Sequence, residues 1–343
     1  MENTSDASPW AGLRSKFLEA LDSQEQVHIF DLSARMVPPL HRWAARYPLI
    51  RRVRVWPLSL SVAAAAPFCS SEALVAEARV SLWVFTLDDL FDEERVPQTE
   101  LMKRAERYRA IAQNQPTAPA PDSLANALRE IRDELSTYPL FASLGDEWAR
   151  ALCGTIDGMT REYFWRLSYR KDGGAALPTY DEYVANGLYS IGGPPHMWSA
   201  IIATGDLSAV DHIEELRQME RLSSTCIRLA NDLQSYAKEI TEEKINALIL
   251  ISRELQDQGI PEKEALERAE SRVKAEIAAG IETLGEMQAK VRTKTGHPEA
   301  ALADIARFVC DFYTKHDYHT FYTEPLKPAA PAQTPVRRKA AAL

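Results

Sequence analysis

The sequence Asp88-Asp89-Leu90-Phe91-Asp92 follows the apolar helical stretch 73–87, and the interpretation of the whole chain depends on it. Since an α-helix advances about 100° per residue, Asp88 and Asp92 project from nearly the same side and Asp89 lies beside them. Carboxylates grouped in this way can hold a divalent metal ion, whereas an isolated acidic run is more often a solvated helix end. A second group of ligands elsewhere in the chain would favour the metal site.

The composition of the chain indicates a folded, helical protein. Its 343 residues are 45% hydrophobic and include only 14 glycines, which is typical of a globular protein. Alternating polar and apolar patterns are almost absent, so the sequence predicts an all-α fold. The net charge of −9 and the pI near 5.4 argue against a nucleic-acid partner, because phosphate binding normally requires a basic face.

The cysteines and the first residues of the chain give expectations about the cellular compartment of the protein. Four scattered cysteines form neither a zinc-finger pattern nor a dense disulfide framework, which is typical of a reduced interior. The first nine residues are polar, and no run reaches the roughly 20 apolar residues that a membrane span needs. We therefore expect a cytoplasmic location and no membrane span. We also expect flexible ends over residues 1–9 and 325–343, flanking a single domain over residues 10–324.

Helical periodicity covers most of that domain. One predicted helix begins at Pro178, and the others span residues 10–21, 29–47, 71–90, 100–113, 123–136, 144–169, 196–204, 210–239, 245–256, 261–286 and 300–322. Pro38 and Pro39 are expected to interrupt or kink the helix over residues 29–47. The sequence Ser190-Ile191-Gly192-Gly193-Pro194-Pro195 is expected to break the helix from Pro178, and such a break in a bundle often marks a functional place.

A second group of ligands does occur, on the helix predicted over residues 210–239. Asn231, Ser235 and Glu239 recur at i, i+4 and i+8, so their side chains form one stripe spanning about two turns. An amide oxygen, a hydroxyl and a carboxylate are hard ligands that Mg²⁺ accepts. Arg228 lies one turn earlier and Lys238 lies beside Glu239, where cations could grip an anionic substrate. Taken alone, the stripe is also compatible with an ordinary exposed helix face.

Together, the two groups resemble the paired metal-binding motifs of class I terpene synthases. The acidic run resembles the DDxxD-type motif, and residues 231–239 match the form (N/D)Dxx(S/T)xxxE in full. The resemblance implies an all-α, single-domain class I terpenoid synthase fold, also called the isoprenoid synthase fold. In that fold the two motif helices face each other across the mouth of a helical bundle around a central apolar pocket.

The resemblance also implies roles for individual residues. It implies three Mg²⁺ ions that bind a prenyl diphosphate and trigger its departure. Asp88 would be the principal ligand of the first motif, Asp92 a weaker ligand or hydrogen-bonding partner, and Asp89 a supporting partner. The metal ligands on the later helix would be Asn231, Ser235 and Glu239. The diphosphate would be bound by Arg228 and Lys238 and, in place of an arginine sensor, by Arg54.

A carbocation formed in this way must be shielded from water by an apolar wall. Phe85 lies one turn below the acidic run and is the main candidate for cation–π stabilisation. The broken segment Ser190, Ile191 and Gly192 is expected to shape the hydrocarbon path, and Trp198 and Phe312 are further candidates for the wall. No histidine is needed in this interpretation, and the departing diphosphate could itself act as the base.

Two flanking stretches narrow the resemblance. Residues 178–187, with Ser190, are similar to a helix region of plant-type synthases, and residues 312–317 are similar to the Phe-Tyr-x-x-x-Asp segment of kaurene-synthase-like enzymes. They imply a diterpene synthase acting on a copalyl-type or geranylgeranyl diphosphate. No Asp-x-Asp-Asp sequence is present, so the copalyl substrate would come from a separate class II diterpene cyclase.

Other functions are compatible with the sequence. A sesquiterpene cyclase would consume farnesyl diphosphate, and a chain-elongating prenyltransferase would normally carry a second aspartate-rich motif in place of the Asn-Ser-Glu stripe. A non-catalytic helical interaction protein would bind no diphosphate with metal. The sequence leaves open whether the protein is a monomer or a homodimer.

Overall fold

Thirteen α-helices make up most of the chain that the computed structural model describes, which is residues 15–93, 96–118, 120–172 and 177–318. These residues contain no β-strand, which confirms the predicted all-α class. The predicted flexible ends, 1–9 and 325–343, lie outside the described ranges. The helices are α1 Lys16–Glu19, α2 Ser23–Ala44, α3 Val55–Ala65, α4 Ser71–Asp92, α5 Gln98–Ala112, α6 Ser123–Leu135, α7 Phe141–Asp172, α8 Tyr180–Ser190, α9 Gly193–Thr204, α10 Ile213–Thr241, α11 Ala247–Asp257, α12 Glu262–Lys290 and α13 His297–Tyr313.

Most helix boundaries agree with the periodicity, but two expectations need correction. Pro38 and Pro39 do not interrupt α2, because its buried face, which includes Met36 and Leu40, continues on both sides of them; a kink at this point stays a prediction. The helix predicted over residues 300–322 ends at Tyr313, where the chain turns back. The break between α8 and α9 is confirmed, and only two residues separate the helices.

The helix α4 occupies the centre of the bundle. Ser70 caps it by accepting a hydrogen bond from the Ala73 amide at 3.3 Å. Its buried residues lie all around its axis, because it packs against α2, α3, α6, α7 and α9. These packing contacts fix the acidic C-terminal end of α4 at one end of the bundle.

No helix in the described ranges is both long and apolar enough to span a membrane.

The helix α10 carries the second group of predicted ligands. It packs against α13 and α12 on one side and against α8 and α9 on another. Its buried residues run from Leu216 through Ser223 to Ser235, and residues 226–230 are all buried because neighbours lie on more than one side. Its polar C-terminal half lies at the same end of the bundle as the acidic end of α4.

Candidate active site

A cavity of about 1090 Å³, including its open mouth, lies between α4, α7, α8 and α10. Charged side chains line its mouth: Asp88, Asp92, Glu162, Arg166, Arg228, Lys238, Glu239, Lys244 and Asp317. A deeper and mostly apolar cavity of about 540 Å³ shares the wall residues Val84, Phe85, Ile191 and Tyr313. The site is thus a charged mouth above an apolar base.

Asp88 lines the mouth, as predicted from its place on α4. Burial, together with the neighbouring carboxylate of Asp92, raises its pKa well above the usual value. A negative charge held in such a place gains most from a bound cation. Asp88 therefore has the surroundings of a principal metal ligand.

Asp89 points instead toward the preceding helices. Its two carboxylate oxygens accept hydrogen bonds from both terminal nitrogens of Arg54 at 2.7 and 2.8 Å, and Arg51 lies 3.3 Å away. The Arg54 side chain is 2% exposed, so this is a buried, two-pronged ion pair. It fixes the end of α4 against α3. Arg54 is thus engaged with Asp89, and its contact with diphosphate stays a prediction that would require this pair to open.

Asp92 lies between two cations that the sequence reasoning missed. Arg166 on α7 donates to one of its carboxylate oxygens at 2.8 Å, and Lys244, which follows α10, donates to the other at 2.7 Å. Burial alone would lower the pKa of Lys244, but pairing with Asp92 and Glu242 raises it above its usual value. Asp92 therefore bridges α7 and the α10–α11 connection across the mouth.

The predicted stripe of α10 lines the same cavity. Asn231, Ser235 and Glu239 all face it. The Ser235 hydroxyl donates to the Asn231 carbonyl at 2.8 Å, and a carboxylate oxygen of Glu239 accepts from the Asn246 amide at 2.8 Å. These two hydrogen-bond partners are neutral. Burial raises the pKa of Glu239 above its usual value, against the attraction of Arg228 and Lys244.

Asp232, next to the stripe, is turned into the protein. It accepts hydrogen bonds from the Tyr183 hydroxyl at 2.9 Å and the Ala247 amide at 3.2 Å. Arg228 lies 3.2 Å from Asp232 and 3.3 Å from Glu162, with its guanidinium 4.9 Å from the centre of the Tyr183 ring. Arg228 is therefore a rigidly held cation at the cavity wall, whereas Lys238 is an exposed one at the rim, 3.9 Å from Glu242.

The break between α8 and α9 forms part of the wall. Ser190 donates a hydrogen bond to Glu162 at 2.6 Å, and Ile191 faces both parts of the cavity. Gly192 has a φ of +80°, and a Cβ there would lie 2.3 Å from the Val84 side chain. Only glycine lets α9 approach α4 this closely.

The aromatic wall differs in part from the prediction. Phe85 faces both parts of the cavity, with its ring 5.4 Å from that of Tyr318. Trp198 lies in the core instead, where its indole N–H donates to Glu220 at 3.0 Å. Phe312 packs behind the wall and stacks on Tyr318 at 4.3 Å. Its neighbour Tyr313 takes the wall position, because the turn of α13 points that side chain inward.

The donors at the mouth fit magnesium. Asp88, Asn231, Ser235 and Glu239 supply the carboxylate, amide and hydroxyl oxygens that hard cations prefer. Within the described ranges, no three carboxylate, imidazole or thiol groups already form a cluster that could hold an ion. The donor set therefore fits ions that are completed by ligands from a substrate and from water.

Known proteins resemble this chain in sequence. Residues 79–279 match the family described as terpene synthase family 2, C-terminal metal binding. "Kaurene synthase like 2, chloroplastic" from Isodon rubescens is 29% identical over 233 residues, which cover 64% of this chain and 30% of that protein. "Ent-isokaur-15-ene synthase" from Oryza sativa subsp. indica is 29% identical over 226 residues, covering 62% and 27%. The chain thus spans less than a third of the length of these two relatives.

Solved structures share the fold. The 2-methylisoborneol synthase from Streptomyces coelicolor A3(2), in complex with Mg²⁺ and geranyl-S-thiolodiphosphate, has a TM-score of 0.67 and 16% identity, covering 85% of this chain and 92% of that one. The linalool/nerolidol synthase from Streptomyces clavuligerus, in complex with 2-fluorogeranyl diphosphate, has a TM-score of 0.60 and 18% identity, covering 84% and 94%. At such identities the likeness shows a common helical bundle.

Proposed function

Because the chain belongs to terpene synthase family 2 and has the all-α fold of class I terpene synthases, we propose that it converts a prenyl diphosphate into a terpene. One observation carries the proposal. Asp88 on α4 and the stripe Asn231, Ser235 and Glu239 on α10 face one cavity, whose deeper part is apolar. A polar mouth suits a diphosphate, and an apolar base suits a hydrocarbon chain.

The mouth residues would bind the diphosphate and up to three Mg²⁺ ions. Asp88, Asn231, Ser235 and Glu239 would hold the metal, with Asp92 as a weaker ligand. Bound Mg²⁺ would neutralise the leaving diphosphate and so favour breakage of its bond to carbon. Cations of the wall and rim would contact the remaining phosphate oxygens: Arg228, Lys238, Arg166 and Lys244. Arg166 and Lys244 would supply positive charge of the kind that the sequence predicts at Arg54.

The apolar base would protect the carbocation that this step leaves behind. Val84, Ile191 and Ile227 line much of it, and their hydrocarbon side chains offer no group that would hold water beside the cation. The ring of Phe85 lies where mouth and base meet, and its face would stabilise an allylic cation by about 0.5–2 kcal/mol. The protein would thus separate ionisation at the mouth from rearrangement at the base.

We propose a diterpene precursor as the substrate, either a copalyl-type or geranylgeranyl diphosphate. Two observations support this choice: the likeness to relatives named kaurene synthase like 2 and ent-isokaur-15-ene synthase, and the segment from Phe312 to Asp317, which brings Tyr313 and Asp317 to the cavity. A copalyl substrate would require a class II diterpene cyclase in the same cytoplasm.

The test is incubation of the purified full chain with Mg²⁺ and each prenyl diphosphate from C10 to C20, including the copalyl isomers. Gas chromatography with mass spectrometry identifies products, and a pyrophosphate assay measures turnover. We expect a diterpene from a C20 substrate and no reaction with a chelator. A product only from farnesyl diphosphate would replace the diterpene assignment with a sesquiterpene cyclase. Release of pyrophosphate from none of them would overturn the proposed function.

A further inference from the structure

A polar group interrupts the apolar base of the cavity. Ser81 on α4 and His196 on α9 both line it, and the Ser81 hydroxyl lies 2.8 Å from Nδ1 of His196. Burial lowers the pKa of His196 to about 4, so its imidazole is neutral near pH 7 and keeps a basic lone pair. A neutral base thus lies behind a hydroxyl on a mostly apolar surface, whose other hydroxyl-bearing residues are Ser61, Tyr313 and Tyr318.

Glu77 extends this group into the core. It lies one turn before Ser81 on the same face of α4, it is fully buried, and its Oε1 lies 3.3 Å from Nε2 of His196. That contact is not aligned as a hydrogen bond, and among the described residues neither carboxyl oxygen of Glu77 and not Nε2 of His196 has a hydrogen-bond partner. Burying such groups without a protein partner costs free energy, and a functional role is one reason for a protein to retain that cost.

We propose that Ser81, His196 and Glu77 form a proton relay that deprotonates the carbocation in the base of the cavity and so ends the reaction. The proposal rests on the proposed function. It assigns to the protein itself a base at the inner end of the cavity, in addition to the departing diphosphate at the mouth.

The proton movements balance within these residues. A C–H bond next to the cationic carbon breaks, and its electron pair becomes the new C=C bond. The proton bonds to Oγ of Ser81 while the proton already on Oγ passes to Nδ1 of His196. The resulting imidazolium directs Nε2–H toward the carboxyl of Glu77, which accepts the hydrogen bond. The imidazolium later loses its extra proton to solvent.

The position of the relay along α4 explains why the protein could use both the relay and the departing diphosphate as bases. Seven residues separate Ser81 from Asp88, and at 1.5 Å per residue this places the relay about 10 Å below the metal ligands. A diphosphate held at the mouth reaches hydrogens near the ionised carbon, whereas the relay reaches those of the inner end of the hydrocarbon. The relay would therefore select which double bond forms.

Two isosteric variants test the proposal. Ser81→Thr and Ser81→Val add the same volume to the cavity, but only threonine keeps the hydroxyl. With geranylgeranyl diphosphate and the copalyl diphosphate isomers as probes, both variants should release pyrophosphate within about threefold of each other, since that bond breaks at the mouth. The share of the wild-type product should fall at least about tenfold in Ser81→Val relative to Ser81→Thr, because a positioned acid or base typically contributes about 10²–10⁴-fold.

The outcomes are distinct. Loss of the main product in Ser81→Val and its retention in Ser81→Thr, with pyrophosphate release in both, supports the relay. An identical product pattern in the two variants overturns it. If Ser81→Val does not fold, as judged by circular dichroism, His196→Asn is compared with the wild type instead. The two measurements are again the rate of pyrophosphate release and the share of the wild-type product. Failure of the wild type to release any pyrophosphate overturns the proposed function, and the relay with it.

Discussion

The predicted metal motifs of α4 and α10 share one ion-pair arrangement and differ in the hydrogen-bond partners of their last acidic residue. In each, the second residue of the motif is an aspartate that turns away from the cavity and pairs with an arginine, Asp89 with Arg54 and Asp232 with Arg228. The last acid of each behaves differently. Asp92 lies between the charged groups of Arg166 and Lys244, whereas Glu239 accepts from the neutral amide of Asn246.

This difference separates two ways of holding a ligand in place. Ion pairs such as those of Asp92 must open before a diphosphate can use the same cations, so under the proposed function the α4 side would change its contacts when substrate binds. The direct hydrogen bond to Glu239 comes from a neutral amide, so a metal would not have to break a direct ion pair there. The α4 motif would therefore exchange partners, whereas the α10 motif would need less rearrangement to hold metal.

The largest expected effect concerns the aspartate–arginine ion pair that both motifs contain. Asp89→Ala removes the carboxylate that neutralises the buried guanidinium of Arg54, so the free energy of unfolding should fall by about 3–5 kcal/mol in urea denaturation. Asp31→Ala is the matched control, because its pair with Arg35 has exposed partners and should be worth less than about 1 kcal/mol. Equal effects of the two substitutions would contradict a structural role for Asp89.

The next effect tests whether both motifs are needed for chemistry. Asp88→Ala and Asn231→Ala should each reduce kcat by more than about 100-fold, since even residues behind metal ligands commonly cost about 10–100-fold. Helical circular dichroism should be unchanged. Asp157→Ala, which removes an acid from the exposed side of α7, should retain activity. Normal turnover in either Asp88→Ala or Asn231→Ala would remove that residue from the proposed metal site.

The smallest effect sharpens the difference between Asp92 and Glu239. Without Mg²⁺, Asp92→Asn should bind pyrophosphate about fivefold more tightly than the wild type, because a partly exposed ion pair worth about 1 kcal/mol no longer competes for Arg166 and Lys244. Titration calorimetry measures the change, and Asp157→Asn should not show it. Unchanged or weaker binding by Asp92→Asn would mean that these cations do not receive the diphosphate.

The parts of the site that the sequence predicted are those fixed by a single helix. The i, i+4 and i+8 spacing puts Asn231, Ser235 and Glu239 on one face whatever surrounds them. Asp88 is specified in the same way by the apolar stretch before it. The all-α class followed from helical periodicity for the same reason, since that pattern is local.

The parts that the sequence did not predict depend on contacts between distant elements. Arg166 and Lys244 are separated from Asp92 by 74 and 152 residues, and nothing local distinguishes them from surface cations. Whether Phe312 or Tyr313 faces the cavity depends on how α13 is rotated against its neighbours. His196 formed no ligand pattern in the sequence, and only the packing of α9 on α4 brings it to Ser81 and Glu77.

The short break between α8 and α9 bears on how this site can evolve. Gly192 can accept no side chain, because its φ of +80° and the nearby Val84 both exclude one. Ile191 has ordinary helical dihedral angles and faces both parts of the cavity. A lineage that acquires new products is therefore expected to vary at position 191 and to keep glycine at 192. Selection would then favour change at codon 191 and remove change at the adjacent codon 192.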